Sequence, residues 1–331
     1  MPLSAAMGRS LGSSSTMEET AALRALLSSM SNQLILMVGD SSLRNQFMQL
    51  ARVGLDFNRE LPVAYSVVHG NHTGRFLTPF ATLLEEKPDS SNGYWGQFPW
   101  LLASTRANLT LLYAKVWGCS SIAPVVQKMA LVLHNERRVH PELAAWPPAV
   151  ALWNFGLHLL HIYPARPVRT SALRCALEYE RLVRQSLHEL RVRLPRTRLV
   201  WRTTNAVCES SFEGAWALAV RAYHCAEGDG FHNRSCSLPK IARIRKLCLW
   251  RYNISDSLCR DTFMDRRNTA AQRESALAVL RSAQPRVETL DAFGMTDAQC
   301  SSTADGRHYP PLLARINLAW LRMLNRPISV S

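Results

Sequence analysis

The stretch Gln33-Leu34-Ile35-Leu36-Met37-Val38 most constrains this chain. It is an apolar run of strand length, as required of a strand covered on both faces in a parallel sheet. Gly39-Asp40-Ser41-Ser42 follows at once. The glycine permits a sharp turn, and Leu43, Phe47, Leu50 and Val53 then fall near helical spacing, which predicts a helix from Leu43 to about Val53. Ser41 is thereby placed at the carboxyl end of a strand and the amino end of a helix. Backbone N–H groups without helical partners and the positive helix end gather there and stabilise negative charge. Ser41 is a candidate nucleophile. Asp40 is read as the residue that shapes the turn through backbone hydrogen bonds, and Ser42 as a less favoured nucleophile.

Further strands and helices alternate along the chain. Strands are expected at Leu109 to Trp117, Ala149 to Trp153, Arg198 to Thr203 and Arg286 to Leu290. Thr16-Met17-Glu18-Glu19 reads as a capping box ahead of an amphipathic helix carrying Leu23, Leu26, Leu27 and Met30. Pro124 opens a helix to about Leu133, and Ser171 caps a long one to Leu194 with Ala176, Leu177, Val183, Leu187 and Leu190 facing the core. Helices at Ala270 to Ser282 and Leu312 to Leu324 complete the alternation. The expectation is an α/β fold, a three-layer α/β/α sandwich around a mostly parallel five-stranded sheet. Residues 1–15 read as a flexible tail, and residues 16–331 as a single domain. Residues 54–107 resist assignment; Tyr94, Trp95, Phe98 and Trp100 crowd there, for core packing or for stacking on sugar rings.

At 331 residues with 47% hydrophobic and 19% charged side chains, the chain is of globular rather than disordered composition. Its net charge of +14 is spread along the chain as arginines, without a dense basic block or an RNA-binding signature. A solvated surface, attraction to acidic glycans and, last, nucleic acid are the readings. The eight cysteines, at 119, 175, 208, 225, 236, 248, 259 and 300, contain no C-x-x-C pair. An even count without that spacing fits disulfides, whose connectivity spacing leaves open. Five of them lie between Cys208 and Cys259, so residues 205–268 read as an irregular, disulfide-braced insertion. Asn71, Asn108, Asn233 and Asn253 head glycosylation sequons. These features favour the lumen of the secretory pathway (the Golgi) or secretion, given a signal or anchor upstream of this sequence; a cytoplasmic location is the alternative. No stretch approaches a membrane span.

In an open parallel sheet, reactive groups gather on the loops after the strands. Those loops hold Ser41, then Gly118, whose N–H no side chain blocks, then Asn154, whose amide can donate to an oxyanion. The last holds Asp305-Gly306-Arg307-His308. A serine hydroxyl needs a base to take its proton; His308 is that base and Asp305, three residues earlier in a turn, its orienting carboxylate. The backbone N–H of Ser41, with Gly118 and Asn154, forms the expected oxyanion set. Arg44 is a candidate for holding an anionic group of a substrate. His158 and His161, lacking a carboxylate partner, are read as structural, and no metal site is expected.

Gly39-Asp40-Ser41, Asn154 after the third strand and Asp305-x-x-His308 together resemble blocks I, III and V of the SGNH/GDSL hydrolase superfamily, with Gly118 as block II. Val38-Gly39-Asp40-Ser41-Ser42-Leu43-Arg44-Asn45-Gln46 is similar to the Gly-Asp-Ser-x-x-Arg-Asn-Gln box of its PC-esterase group, which includes the trichome-birefringence-like polysaccharide O-acetyltransferases. Trp153 to His158, Trp201 to Thr204 and Met295-Thr296 resemble further segments of that group. The carboxyl-terminal box departs from the land-plant pattern, as in a divergent member. The resemblance implies a serine-dependent O-acetyltransferase or O-acetylesterase acting on glycan hydroxyls through an acyl-serine. It implies no bound cofactor, with an acetyl ester or an acetyl-CoA-derived donor as substrate and a carbohydrate as partner. A non-catalytic, secreted glycan-binding relative of the same fold is the other reading.

Overall fold

The structure, a computed structural model, describes residues 17–54, 66–67, 76–77, 100–104, 109–116, 119–138, 140–160, 170–213, 217 and 261–326. In chain order the elements are α1 (Met17–Ser28), β1 (Leu34–Gly39), α2 (Ser41–Gly54), the short β2 (Ser66–Val67) and β3 (Phe76–Leu77), β4 (Trp100–Ser104), β5 (Thr110–Lys115), α3 (Ala123–Arg137) and β6 (Val150–Trp153). They continue with α4 (Thr170–Leu177), α5 (Tyr179–Arg193), β7 (Arg198–Arg202), α6 (Arg266–Arg281), β8 (Glu288–Leu290), α7 (Ala292–Thr296) and α8 (Leu313–Leu324).

The central run behaves as its composition demands. Every residue of β1 is buried. Successive side chains of a strand point to opposite faces. Leu34, Leu36 and Val38 accordingly join the core beneath α3, α5 and α6, while Ile35 and Met37 join the core beneath α1, α2 and α8. Truncating such a residue to Ala costs roughly 2–5 kcal/mol. Strand β1 lies between β5 and β6, parallel to both. The sheet order is β4-β5-β1-β6-β7-β8. From β1 the chain adds β5 on one side, then crosses to add β6, β7 and β8 on the other, and the winding reverses beside β1. Such a reversal opens a crevice at the carboxyl ends of the strands.

The five expected strands are present and parallel, forming the middle layer of an α/β/α fold. A sixth strand, β4, was not expected; it pairs antiparallel with β5 and covers that edge. It occupies part of the segment that resisted assignment. Of the aromatic group there, Tyr94, Trp95 and Phe98 lie outside the described residues.

The helix expected from Ser171 to Leu194 is two helices that part at Glu178, whose backbone leaves the helical region. The break lets Tyr179 turn inward: its hydroxyl donates to the Phe155 carbonyl at 2.9 Å and its ring packs edge-on against Phe155. Leu177, expected in the core, is exposed as a consequence. Helix α6 begins four residues before its expected start because Asp265 caps it, accepting from the Asn268 N–H at 2.6 Å.

Two disulfides join the described cysteines: Cys119–Cys175 and Cys208–Cys300. Cys208 opens the expected insertion but pairs outside it, with Cys300. The flexible-tail reading of residues 1–15, the sequons at Asn71, Asn108, Asn233 and Asn253, and Cys225, Cys236, Cys248 and Cys259 lie outside the described residues. Among the described residues no helix is long and apolar enough to cross a membrane.

Candidate active site

Strand β1 ends at Gly39 and α2 begins at Ser41, so Asp40 alone makes the turn. Gly39 is required there for space rather than for an unusual backbone angle. A Cβ on it would overlap the Asn154 Oδ1 and sit 2.9 Å from the Asn154 carbonyl oxygen. Asn154, just past β6, reaches under the turn: its Oδ1 accepts from the Asp40 N–H at 3.2 Å, and its Nδ2 donates to Asp40 Oδ1 and Ser42 Oγ at 3.3 and 3.2 Å. Asp40 Oδ1 also accepts from the Ser42 N–H at 2.9 Å and from its hydroxyl at 2.5 Å. From the other side the Tyr113 hydroxyl donates to the Gly39 and Asp40 carbonyls at 3.0 and 3.1 Å. Asp40 Oδ1, the Ser42 hydroxyl and the Asn154 amide thus hold one another, and the Ser41 hydroxyl takes no part in that set.

Across the crevice, Asp305-Gly306-Arg307-His308 folds into a tight turn. Asp305 Oδ1 accepts from the backbone N–H of Arg307 and of His308 at 3.1 and 2.9 Å. Its Oδ2 meets His308 Nδ1 at 2.6 Å and the Arg307 guanidinium at 3.3 Å. Gly306 has φ +74°, and a Cβ there would strike the Cys208 carbonyl and the Phe212 ring. His308 Nε2 stands 2.8 Å from Ser41 Oγ. Ser41, His308 and Asp305, spread over most of the chain, therefore form one continuous hydrogen-bonded relay.

The loop after β8 reaches Ser41 because the segment after β7 carries it. The Cys208 N–H donates to the Gly306 carbonyl at 2.8 Å, Asn205 Nδ2 to the Arg307 carbonyl at 2.9 Å, and the Tyr309 hydroxyl to the Ala206 carbonyl at 2.9 Å. The Cys208–Cys300 disulfide ties the same two segments. Arg202, the last residue of β7 and fully buried, joins them to the nucleophile turn. It donates to Gln46 Oε1 at 2.8 Å, Ser42 Oγ at 3.1 Å, Asn205 Oδ1 at 2.7 Å and the Thr203 carbonyl at 2.8 Å.

The charges are arranged to stay charged. Burial pushes the Asp40 carboxyl up, but the His158 imidazole, the Ser42 hydrogen bonds and the Arg202 guanidinium outweigh it and hold the group below its ordinary range. Burial pulls Arg202 down to about 10, against the attraction of Asp40, so it remains a cation at neutral pH. Asp305 is likewise pushed up by burial and held well below the usual carboxylate range by His308 and Arg307. It stays ionised, as the partner of an imidazole that must accept a proton requires.

Ser41, Asp305 and His308 are brought together. Asn154 lies at the site and locks the 40–42 turn, its Oδ1 accepting from the Asp40 N–H and its Nδ2 facing Asp40 Oδ1 and Ser42 Oγ. Gly118 lies outside the described residues. Arg44 follows Ser41 by one helical turn, half-buried, with its backbone N–H donating to the Asp40 carbonyl at 3.1 Å. Ser42 is turned inward with its hydroxyl committed. His158, read as structural, is instead a site residue: its Nε2 lies 3.3 Å from Ser41 Oγ. The signal that could have found it was its place four residues after Asn154, in the loop after the strand beside β1. His161 is outside the described residues. Among the described residues no three His, Cys, Asp or Glu side chains gather to hold a metal ion.

No family model and no curated protein matches the chain. Solved structures similar to it include one described as a GDSL-like lipase from Parabacteroides merdae, at 11% identity over 88% of this chain and 97% of that one, with a TM-score of 0.32. Another is a lipase/acylhydrolase from Enterococcus faecalis, at 10% identity over 90% of this chain and 100% of that one, also at 0.32.

Proposed function

We propose that the protein is a serine-dependent acyl-ester enzyme, an O-acetyltransferase or O-acetylesterase acting on glycan hydroxyls through an acyl-serine. The observation that carries this is the relay from Ser41 Oγ to His308 Nε2 at 2.8 Å and from His308 Nδ1 to Asp305 Oδ2 at 2.6 Å. His308 Nε2 takes the Ser41 proton as Oγ bonds to the carbonyl carbon of an acetyl ester. The carbonyl π pair moves to its oxygen, next to the Ser41 N–H at the start of α2. The intermediate collapses, the bond to the leaving oxygen breaks, and His308 returns the proton to that oxygen. Asp305 stays ionised throughout and steadies the imidazolium. A second hydroxyl, from a sugar or from water, repeats the sequence in reverse. A sugar gives transfer, and water gives hydrolysis.

The glycan assignment rests on the similarity of the 38–46 box to the PC-esterase group, and the net charge of +14 favours an acidic glycan. The two disulfides accord with a lumenal or secreted setting. A purely glycan-binding role has no need of a relay ending on a serine hydroxyl. The test is labelling by a fluorophosphonate, followed by mass spectrometry with acetyl donors and oligosaccharides. Labelling at Ser41 that disappears in Ser41→Ala, with acetyl gain or loss on a sugar, is expected. Absence of label on the folded protein overturns the reading.

A further inference from the structure

We propose that His158 is a further catalytic residue of this site, the side-chain donor to the oxyanion; this rests on the acyl-serine reading. Ser41 Oγ has imidazole nitrogens on two sides, His308 Nε2 at 2.8 Å and His158 Nε2 at 3.3 Å. His308 Nδ1 faces the ionised Asp305 carboxylate at 2.6 Å, so Nδ1 carries a hydrogen and the neutral ring has its lone pair on Nε2. The single proton of Ser41 goes to that lone pair. The second contact then requires His158 Nε2 to carry its own hydrogen and donate it to Oγ.

The acceptor of that hydrogen weakens as a better one appears beside it. When Oγ bonds to the carbonyl carbon and gives its proton to His308, it keeps two lone pairs but becomes an ester-type oxygen, a poorer acceptor. Negative charge appears on the carbonyl oxygen, one carbon away. The Nε2–H of His158, already 3.3 Å from Oγ, turns to that oxygen, and its bond strengthens as charge develops, as a catalytic donor's must. The side chain expected in this role, Asn154, turns its Nδ2 toward Asp40 Oδ1 and Ser42 Oγ beneath the turn.

The segment bearing His158 is built to aim it. Gly156, at φ +137°, lets the chain reverse into the 157–159 turn, and Gln272 Nε2 donates to its carbonyl at 3.2 Å. Tyr179 holds the preceding carbonyl, and Leu157 and Leu159 are both fully buried on either side of the histidine. The Asp40 carboxylate lies close enough for the His158 imidazole to help hold it ionised.

The test uses the whole chain and p-nitrophenyl acetate with its thionoester analogue, whose sulfur is the weaker acceptor. His158→Ala is expected to lower kcat/KM for the ester on the order of 10²-fold, mostly in kcat, as removal of one oxyanion donor does. It should also shrink the preference for ester over thionoester. His158→Gln, which restores an N–H donor of similar reach, should recover much of both. A rate for His158→Ala within a few-fold of wild type, equal losses in the Ala and Gln variants, or an unchanged ester-to-thionoester ratio overturns the assignment. Wild-type protein that forms no acyl-Ser41 overturns the functional reading and this proposal together. Wild-type acylation with an indifferent His158→Ala overturns this proposal alone.

Discussion

The two halves of the site are held in different ways. The nucleophile turn at 39–42 is pinned within its own neighbourhood: it sits between the central strand and α2, and Asn154 and Tyr113 come from the two strands that flank β1 in the sheet. The Asp305–His308 turn follows the edge strand β8 and has no such support. It is positioned by hydrogen bonds and one disulfide to the segment after β7, from Asn205 to Cys208. The first half is therefore a property of regular secondary structure, and the second a property of irregular chain held by a few named links. The lesson is that the reach of the base to the serine rests on the second set. The site should be broken chemically at either half and geometrically at the loop.

The largest effect is expected from Asp305→Asn. It keeps the shape of the turn but removes the charge that fixes the His308 tautomer, and the rate of Ser41 labelling should fall on the order of 10⁴-fold. The carboxyl's depressed pKa adds a pH signature. A group held below its unfolded value near 4 contributes stability that is complete above that pH and is lost as pH falls through the folded value. Thermal denaturation between pH 5 and pH 2.5 should show wild type losing stability more steeply than Asp305→Asn. Parallel curves would mean that the carboxylate gains nothing from His308 and Arg307 in the folded protein.

Next comes Arg202→Met, which attacks the link between the halves. Removing a buried cation leaves Gln46 and Asn205 without their donor, Ser42 with Asn154 alone and Asp40 without one of the charges that hold it ionised, and loss of one partner from such a network costs roughly 3–5 kcal/mol. Urea denaturation checks this. A cost below about 1 kcal/mol would make Arg202 a passenger rather than the tie.

These differences also explain what the chain discloses before it is folded. The run from Leu34 to Val38 had to be a central strand because only burial on both faces suits it, and the helical spacing after Ser41 followed the same logic. Period alone placed the parallel strands, Ser41 and the loop that holds His308. It could not show that the loop crosses back to Ser41, because the agents are an asparagine, a backbone carbonyl and a disulfide more than ninety residues apart in sequence. Strand β4 was hidden for a related reason: it lies at an edge, where pairing to β5 matters more than pattern. Arg202 was legible as the charge ending a strand that Arg198 begins, and as part of the Trp201 to Thr204 segment, but not as the tie between the two halves. His158 was missed because a histidine without a neighbouring carboxylate in sequence was judged by its own segment, while its partner is a serine 117 residues away.

A smaller effect is expected at the disulfide. Cys208→Ser with Cys300→Ser releases the loop from the segment after β7 and should cost roughly 2–4 kcal/mol. If the comparison is right, the labelling rate at Ser41 falls as well. The matching pair Cys119→Ser with Cys175→Ser, which ties the segment after β5 to α4, should lower stability while leaving labelling near wild type. Equal effects on labelling would erase the distinction between the two halves.

The smallest effect sharpens the comparison most. Asn205→Ala removes one donor to the Arg307 carbonyl and one acceptor for Arg202, a loss of roughly 1–3 kcal/mol in a buried setting. Because Asn205 touches neither Ser41 nor His308, any loss of labelling acts through the position of the loop or through Arg202. The expected result is a modest loss of stability together with a labelling rate several-fold below wild type, at temperatures where the variant remains folded. Asn205→Asp, which keeps an acceptor for Arg202 but loses the donor to Arg307, separates the two contacts. If it labels as slowly as the Ala variant, the hydrogen bond to the loop is what holds the base at the serine. If it labels as wild type does, the loop is held by the disulfide and by the bonds of the Gly306 carbonyl and the Tyr309 hydroxyl.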